Sequence, residues 1–291
     1  MSRSRKYGQN GKTFHVPYSK GTDSTDRKNW DYWRNIIEGV PEGEQSWKTL
    51  DLESGQMTEV ASVAQPPIEN LIFTEKLDGQ GNCFNQHGLF ARSHGAPSEL
   101  PWDETLRQKW SLIKNDLAGL DLEIFGENMY ACHSIEYLKL KHDYYVFAAR
   151  IKDKWLSWEQ VKEYSYLFDF PTVPEIHTYP SSKFKNQEEL QKHVESLMGQ
   201  QSVLGSIDFH SKEFDQMEGV VFRNTEEFHV NNFVHNVFKI VRPSHVKTDE
   251  HWIKSWKPAF KKWQLDAFLG TETYSNEDAR QAIIELSKQR R

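Results

Sequence analysis

The sequence predicts an α+β domain built on antiparallel sheet, with an N-terminal extension before it and a short helical segment after it. Three observations predict this. Strand-like runs after residue 68 come in groups, with helical stretches inserted between them, and do not alternate one for one as βαβ units would. Pro66-Pro67 breaks off a polar region punctuated by Gly, Ser, Asp and Pro. From Thr248 onward the apolar spacing turns helical. The expected division is an extension over 1–68 packed on the core, a main domain over 69–245 and a helical segment over 246–291. Of the 291 residues 37% are hydrophobic, which supplies a sizeable core and argues against a disordered chain.

Each element has its local reason. Trp30 and Trp33 lie in a short helical stretch, NWDYWRNII. Residues 71–76 (LIFTEK) read as a strand, and residues 82–92 (NCFNQHGLFAR) as its hairpin partner after a Gly-rich turn. Residues 103–117 have helical spacing through Leu106, Trp110, Ile113 and Leu117. Residues 120–125 form a strand ending at Gly126, and residues 143–151 (DYYVFAARI) form another. Ser157 with Gln160 is a capping box, and Asn186 with Glu189 opens a second helix. Residues 217–223 and 236–241 are further strands. Near the C-terminus Trp252, Trp256, Trp263 and Ala267 would share one helix face, kinked by Pro258. Ser275 caps a last helix running into Lys288, Arg290 and Arg291.

Composition excludes several classes. There are 36 Lys and Arg against 42 Asp and Glu, a formal net charge of −6. A uniformly basic nucleic-acid coat is excluded; a local basic groove is not. Two cysteines, Cys83 and Cys132, exclude a disulfide framework and fit a reducing compartment. No run of about 18 apolar residues occurs, so no membrane helix is expected. MSRSRKYGQNGK has no apolar stretch after its basic residues, so no secretory signal is expected either.

Four segments carry chemistry. In Glu75-Lys76-Leu77-Asp78-Gly79 a lysine ends a strand beside an acid and a tight turn. Such an amine becomes a nucleophile once burial or cationic neighbours let it lose its proton. Taken alone, the segment reads better as a β-turn with Asp78-Gly79 at its corner. Glu127 follows Gly126 at a strand end, where a solvated acid is the ordinary outcome. Glu218 precedes the β-forming run GVVFR, where a surface charge is ordinary. Lys239 interrupts the apolar strand VFKIV, a costly place for an unpaired ammonium.

In order, these segments resemble the covalent nucleotidyltransferase superfamily of polynucleotide ligases and capping enzymes. Within it they are most similar to ATP-dependent RNA ligases, in particular the nick-sealing phage RNA ligase 2 group. The matching motifs are K-x-D-G at Lys76, FARSHG with Arg92, IFGE with Glu127, YYVFAARI with Phe147, EGVVFR with Glu218 and VFKIVRP with Lys239. They run from about residue 71 to 243. The resemblance implies an antiparallel-sheet nucleotidyltransferase fold, an ATP-grasp-like adenylation domain. It implies ATP and Mg²⁺ (or Mn²⁺), a covalent lysyl-AMP on Lys76, an adenylylated 5′ end, and joining of 5′-phosphate to 3′-hydroxyl RNA ends.

By the same resemblance Lys76, Lys239 and Glu218 are catalytic, and Glu218 is the metal carboxylate. Glu75, Lys76, Asp78, Gly79, Arg92, Glu127, Phe147, Glu218, Lys239 and Arg242 bind ATP or AMP. Glu75 would meet the adenine edge and Phe147 its face. The implied partners are RNA ends in a nicked duplex or broken stem-loop, with no membrane, for a monomer in the cytoplasm or a phage-encoded enzyme in its host's cytoplasm. The sequence departs from the family in three places. Ala148 stands where an acid follows the aromatic. Val241 stands where a second lysine completes K-x-K, with Arg242 next to it. The asparagine after the adenylation motif is displaced by one, to Asn82.

Lys254, Lys257, Lys261 and Lys262 interleave with the C-terminal tryptophans, which reads equally as a phosphate-gripping helix or a solvated amphipathic one. His87, His94, His133 and His142 show no zinc-ligand spacing with the cysteines. A DNA ligase or a ligase for mixed RNA/DNA nicks is the alternative enzyme. A non-catalytic nucleic-acid-binding protein on the same fold is the alternative outside enzymes, since fold alone does not fix function.

Overall fold

The computed structural model describes residues 13–22, 27–50, 57–91, 96–243 and 256–290. Helix α1 (Tyr32–Glu38) precedes a hairpin of β1 (Gln45–Leu50) and β2 (Met57–Ala61). Next come β3 (Asn70–Lys76), β4 (Gln80–Asn85), β5 (Gly88–Ala91), α2 (Glu104–Leu120), β6 (Leu122–Asn128), β7 (Ala131–Cys132) and β8 (Ile135–Tyr137). Then follow β9 (Tyr144–Ile151), β10 (Lys154–Trp155), α3 (Trp158–Leu167), β11 (Glu175–Pro180), α4 (Gln187–Met198), β12 (Ser206–Asp208), β13 (Gly219–Asn224), β14 (Phe228–His229), α5 (Phe233–Asn236) and β15 (Val237–Val241). β16 (Lys257–Pro258), α6 (Lys262–Leu269) and α7 (Asn276–Gln289) lie beyond them. Two antiparallel sheets dominate, ordered β11-β3-β13-β15 and β14-β10-β9-β6-β4-β5. The fold is therefore α+β on antiparallel sheet.

The expected hairpin of residues 71–76 with 82–92 does not form. β3 belongs to the four-stranded sheet, while β4 joins the six-stranded one and pairs with β5 and β6. The turn between them is pulled across. Leu77 sinks into the main core, and the Asp78 carboxylate accepts the N–H groups of Ser134 and Ile135 at 2.8 and 2.9 Å. Asp78 N–H donates to Tyr137 Oη at 2.9 Å. Three long-range hydrogen bonds outweigh a local turn preference.

Hydrophobic clusters explain the layers. Leu117 of α2, Ile124 of β6, Tyr144 of β9 and Val161 of α3 share the largest. On one face of the four-stranded sheet Phe73, Val220, Phe222 and Phe238 pack against Tyr32 and Ile36 of α1 and Leu190 and Val194 of α4. A third cluster joins the two sheets: Phe125 and Ala148 come from one, Val237 and the partly buried Val221 from the other. Leu265, Ala279, Ala282 and Ile283 of α6 and α7 pack on Leu138 and Ile207.

The N-terminal segment forms a strap along the outer edge of β15. Lys239 N–H donates to Phe14 O and Val16 N–H to Lys239 O, at 3.3 and 3.0 Å. Val241 N–H donates to Ser19 Oγ at 3.0 Å, and Gly21 N–H to Val241 O at 2.9 Å. The edge is thus covered, which removes a pairing hazard.

The helix expected from Thr248 through Ala267 is not what forms over its described part. Residues 257–258 are extended and pair with β7, because Pro258 has no N–H for a helix and clashes with the preceding turn. Helix α6 begins only at Lys262 and buries Leu265, leaving Trp263 66% exposed and Ala267 exposed. Trp252 and Lys254 lie outside the described residues. The Ser157–Gln160 box, the Asn186 cap and the Ser275 cap form as the sequence predicts.

Candidate active site

Lys76 ends β3 directly opposite Gly219, the first residue of β13. A Cβ on Gly219 would lie 2.2 Å from Ile240 O, so only glycine lets β13 and β15 approach this closely. Glu218 is thereby delivered to the strand end. Both of its carboxylate oxygens accept from Lys76 Nζ at 2.7 Å. The Lys76 side chain is 26% exposed and that of Glu218 is buried. Burial alone would pull the Lys76 ammonium down, but Glu218, Glu127 and Asp78 together outweigh it and hold the group above the ordinary lysine range.

Lys239 pairs with Val221, which pairs with Thr74. Alternation therefore puts Thr74, Lys76, Val221 and Lys239 on one face of the sheet. Strand β6 was expected to stop at Gly126 but continues through Asn128. A Cβ at Gly126 would meet the Tyr144 ring at 2.5 Å, so the glycine serves close packing inside the strand and does not end it. Glu127 Oε1 accepts the N–H of Gly79 at 3.2 Å, tying this carboxylate to the turn after Lys76.

Phe147 owes its place to a β-bulge. Phe125 pairs with Ala148 but Gly126 pairs with Val146, leaving Phe147 as the extra residue. Val146 bonds instead to the 171–173 segment. Phe147 is half-buried between the main core and the cluster joining the sheets. Ala148, where an acid was looked for, is fully buried beside Phe125 and Trp155.

The remaining candidates are placed differently. Glu75 faces away from Lys76 by alternation and is 1% exposed. Its Oε2 accepts Val203 N–H at 3.3 Å, while Oε1 has no hydrogen-bond partner among the described residues. Burial pushes its pKa up to about 7. Asp78 anchors the turn through the N–H groups of Ser134 and Ile135, and Gly79 packs against Asn128 O, where a Cβ would lie at 2.5 Å. The Arg242 guanidinium is buried and ion-paired with Asp215 at 2.8 Å, and the Arg242 backbone N–H donates to Glu218 O at 3.0 Å. Arg92 lies outside the described residues.

One supporting network escaped the sequence. The buried Asp103 carboxylate accepts from Asn82 Nδ2, Asn128 Nδ2 and Ser98 Oγ, joining β4, the end of β6 and the loop before α2. Asn82 is thus tied into the scaffold. Two of the three partners, Asn82 and Asn128, lie 21 and 25 residues from Asp103 with no shared spacing, so no local signal marks the network.

The RNA ligase family model matches residues 69–241, more than half of the chain. No curated relative matches at a significant level. Among solved structures, a Naegleria gruberi RNA ligase with pyrophosphate matches at 17% identity and a TM-score of 0.41, over 61% of this chain and 50% of that one. A variant of that enzyme with ATP and manganese matches at 17% identity and a TM-score of 0.41, over 61% and 51%. Another variant with ATP and manganese matches at 14% identity and a TM-score of 0.42, over 76% and 64%. The chain spans about half the length of the first of these structures.

Proposed function

The chain belongs to the RNA ligase family, and from that premise we propose that it joins 5′-phosphate and 3′-hydroxyl RNA ends at the expense of ATP. The observation that carries this reading is a half-buried lysine held at 2.7 Å by Glu218, with Lys239 on the same sheet face. In the first step the Lys76 amine, having lost its proton, attacks the α-phosphate of ATP. A P–N bond forms and the P–O bond to pyrophosphate breaks. The AMP then passes to a 5′-phosphate oxygen, the P–N bond breaking as a pyrophosphate linkage forms. A 3′-hydroxyl finally attacks that 5′-phosphate, losing its proton as AMP departs. Covalent storage of the adenylyl group splits one hard condensation into easier steps.

The residue roles proposed are these. Glu218 lies where it can accept the Lys76 proton. Lys239 sets positive charge beside phosphate as negative charge develops. Phe147 offers the ring face for adenine, and Glu127 holds the turn and can take ribose hydroxyls. Among the described residues no three His, Cys, Asp or Glu side chains form a metal cage. Glu218 as a single carboxylate, together with nucleotide phosphates, fits a hard cation such as Mg²⁺ or Mn²⁺. Bound there, the cation would neutralise phosphate charge and orient the leaving pyrophosphate.

The substrate form we propose is a nicked duplex or broken stem-loop, worked on by a monomer in the cytoplasm. Among the described residues no helix is long and apolar enough to cross a membrane. Incubation with Mg²⁺ and α-labelled ATP should give label that survives denaturation. Lys76→Ala and Lys76→Arg should both lose it, since an always-charged guanidinium cannot serve as the nucleophile. Full labelling of either variant overturns the reading.

A further inference from the structure

Resting on the ligase reading above, we propose that Trp256 and Tyr130, with Lys257, form a stacking subsite for a nucleobase near the RNA end. The Trp256 ring lies 5.4 Å from Trp102 at 67° and 6.1 Å from Tyr130 at 48°. Trp102 is buried and backs the cluster, whereas Trp256 and Tyr130 are only partly buried.

The cluster is built onto the turn that follows Lys76. Trp102 Nε1 donates to Gln80 Oε1. Tyr130 N–H donates to Asn128 Oδ1 at 2.9 Å, and Asn128 O is the atom against which Gly79 packs. The Trp102 side chain and the Tyr130 backbone are thus tied to residues 79–80, which follow Lys76 in the chain by three and four positions.

Charge favours a polyanion as the occupant. Lys257 is exposed immediately after Trp256, whereas the Lys261 ammonium, 5.9 Å from the Tyr130 ring centroid, is ion-paired with Asp143 at 2.8 Å, so Lys257 supplies the charge. The chain as a whole is acidic, so this basic and aromatic pairing is local. Nor is the half-exposed indole needed to hold the C-terminal segment. That segment is already fixed by the β16–β7 pairing, by Ala259 N–H to Tyr130 O at 2.8 Å, and by the α6–α7 cluster. A partly exposed aromatic face beside a lysine is the arrangement that stacks single-stranded bases without reading their edges.

The test uses the full chain with a labelled 5′-phosphorylated RNA, read by fluorescence anisotropy and by the KM for sealing. Lysyl-adenylate yield and circular dichroism on every variant identify folded, competent protein. Stacking of one base predicts a roughly 5- to 100-fold loss of RNA affinity in Trp256→Leu. Trp256→Phe should recover most of it, because a ring face is restored while leucine only fills volume. Lys257→Glu should weaken binding, and raised salt should narrow that difference. Unchanged affinity and KM in Trp256→Leu overturn the proposal, as does a Trp256→Phe variant no better than leucine. If the wild-type protein forms no lysyl-adenylate, the ligase reading falls separately, and the same anisotropy series still decides the subsite.

Discussion

The bidentate Lys76–Glu218 contact sets opposing demands on one amine. Glu218 positions the nitrogen yet favours its charged form, which cannot attack phosphorus. Adenylylation by the free enzyme should therefore rise with pH into the alkaline range. Glu218→Gln removes the main anion, so the rise should move to lower pH while the plateau rate falls. A pH profile of label incorporation checks this, and an unmoved rise would show that Glu218 does not control the amine. Glu75 gives a prediction about stability. Its folded pKa, about 7, lies above the unfolded value of 4.5, so the folded chain holds this proton more tightly. Its contribution is present below about pH 4.5 and is lost as pH climbs through 7, by up to about 3 kcal/mol. Urea unfolding of Glu75→Gln at pH 5 and pH 8 should show a flatter pH dependence than wild type.

At the scale of single elements, the strap of residues 14–21 is the contact least visible beforehand. It bonds both backbone groups of Lys239, so the strand bearing that charge depends on a segment over two hundred residues earlier. A methyl group on Gly21 would sit 2.3 Å from Arg242 O. Gly21→Ala should lower stability by about 1–3 kcal/mol and slow adenylylation. Melting and labelling rates together decide; a lower Tm with an unchanged rate would confine the strap to holding the fold. Local devices were legible in the sequence: the Ser157 and Ser275 boxes each close within four residues. The K-x-D-G turn and Lys239 were legible as chemistry. The partners of Asp78, and Asn82 and Asn128 around Asp103, were not, because they lie more than twenty residues away and follow no period. Trp256 fits the helical spacing of Trp263 and Ala267, but the extended pair at Pro258 separates it from α6. The bulge at Phe147 was equally hidden, since one extra residue in a ladder leaves no mark on a single strand.

Across the whole molecule the helical C-terminal part is seated by its own cluster on Leu138, just after β8, and on Ile207 of β12, and β8 itself supplies Ile135, whose N–H holds Asp78. Ile283 is fully buried there, and Ile283→Ala should cost about 2–5 kcal/mol. Hydrogen exchange should then speed up first in α6, α7 and the 131–137 region. A uniform increase across both sheets would instead mean that this part unfolds only with the rest. The strap has a last consequence, which concerns synthesis. Val241, the hydrogen-bond partner of Ser19, is translated 222 residues after it. At about 5–20 residues per second, the first segment waits roughly 10–40 s for its binding edge. Until then its apolar residues are exposed to chaperones and proteases, and β15 is the last strand of its sheet to be made. Completion of the Lys239 edge is thus a late event in the birth of each molecule, and nascent chains arrested before residue 237 should carry the residue 14–21 segment open to proteolysis.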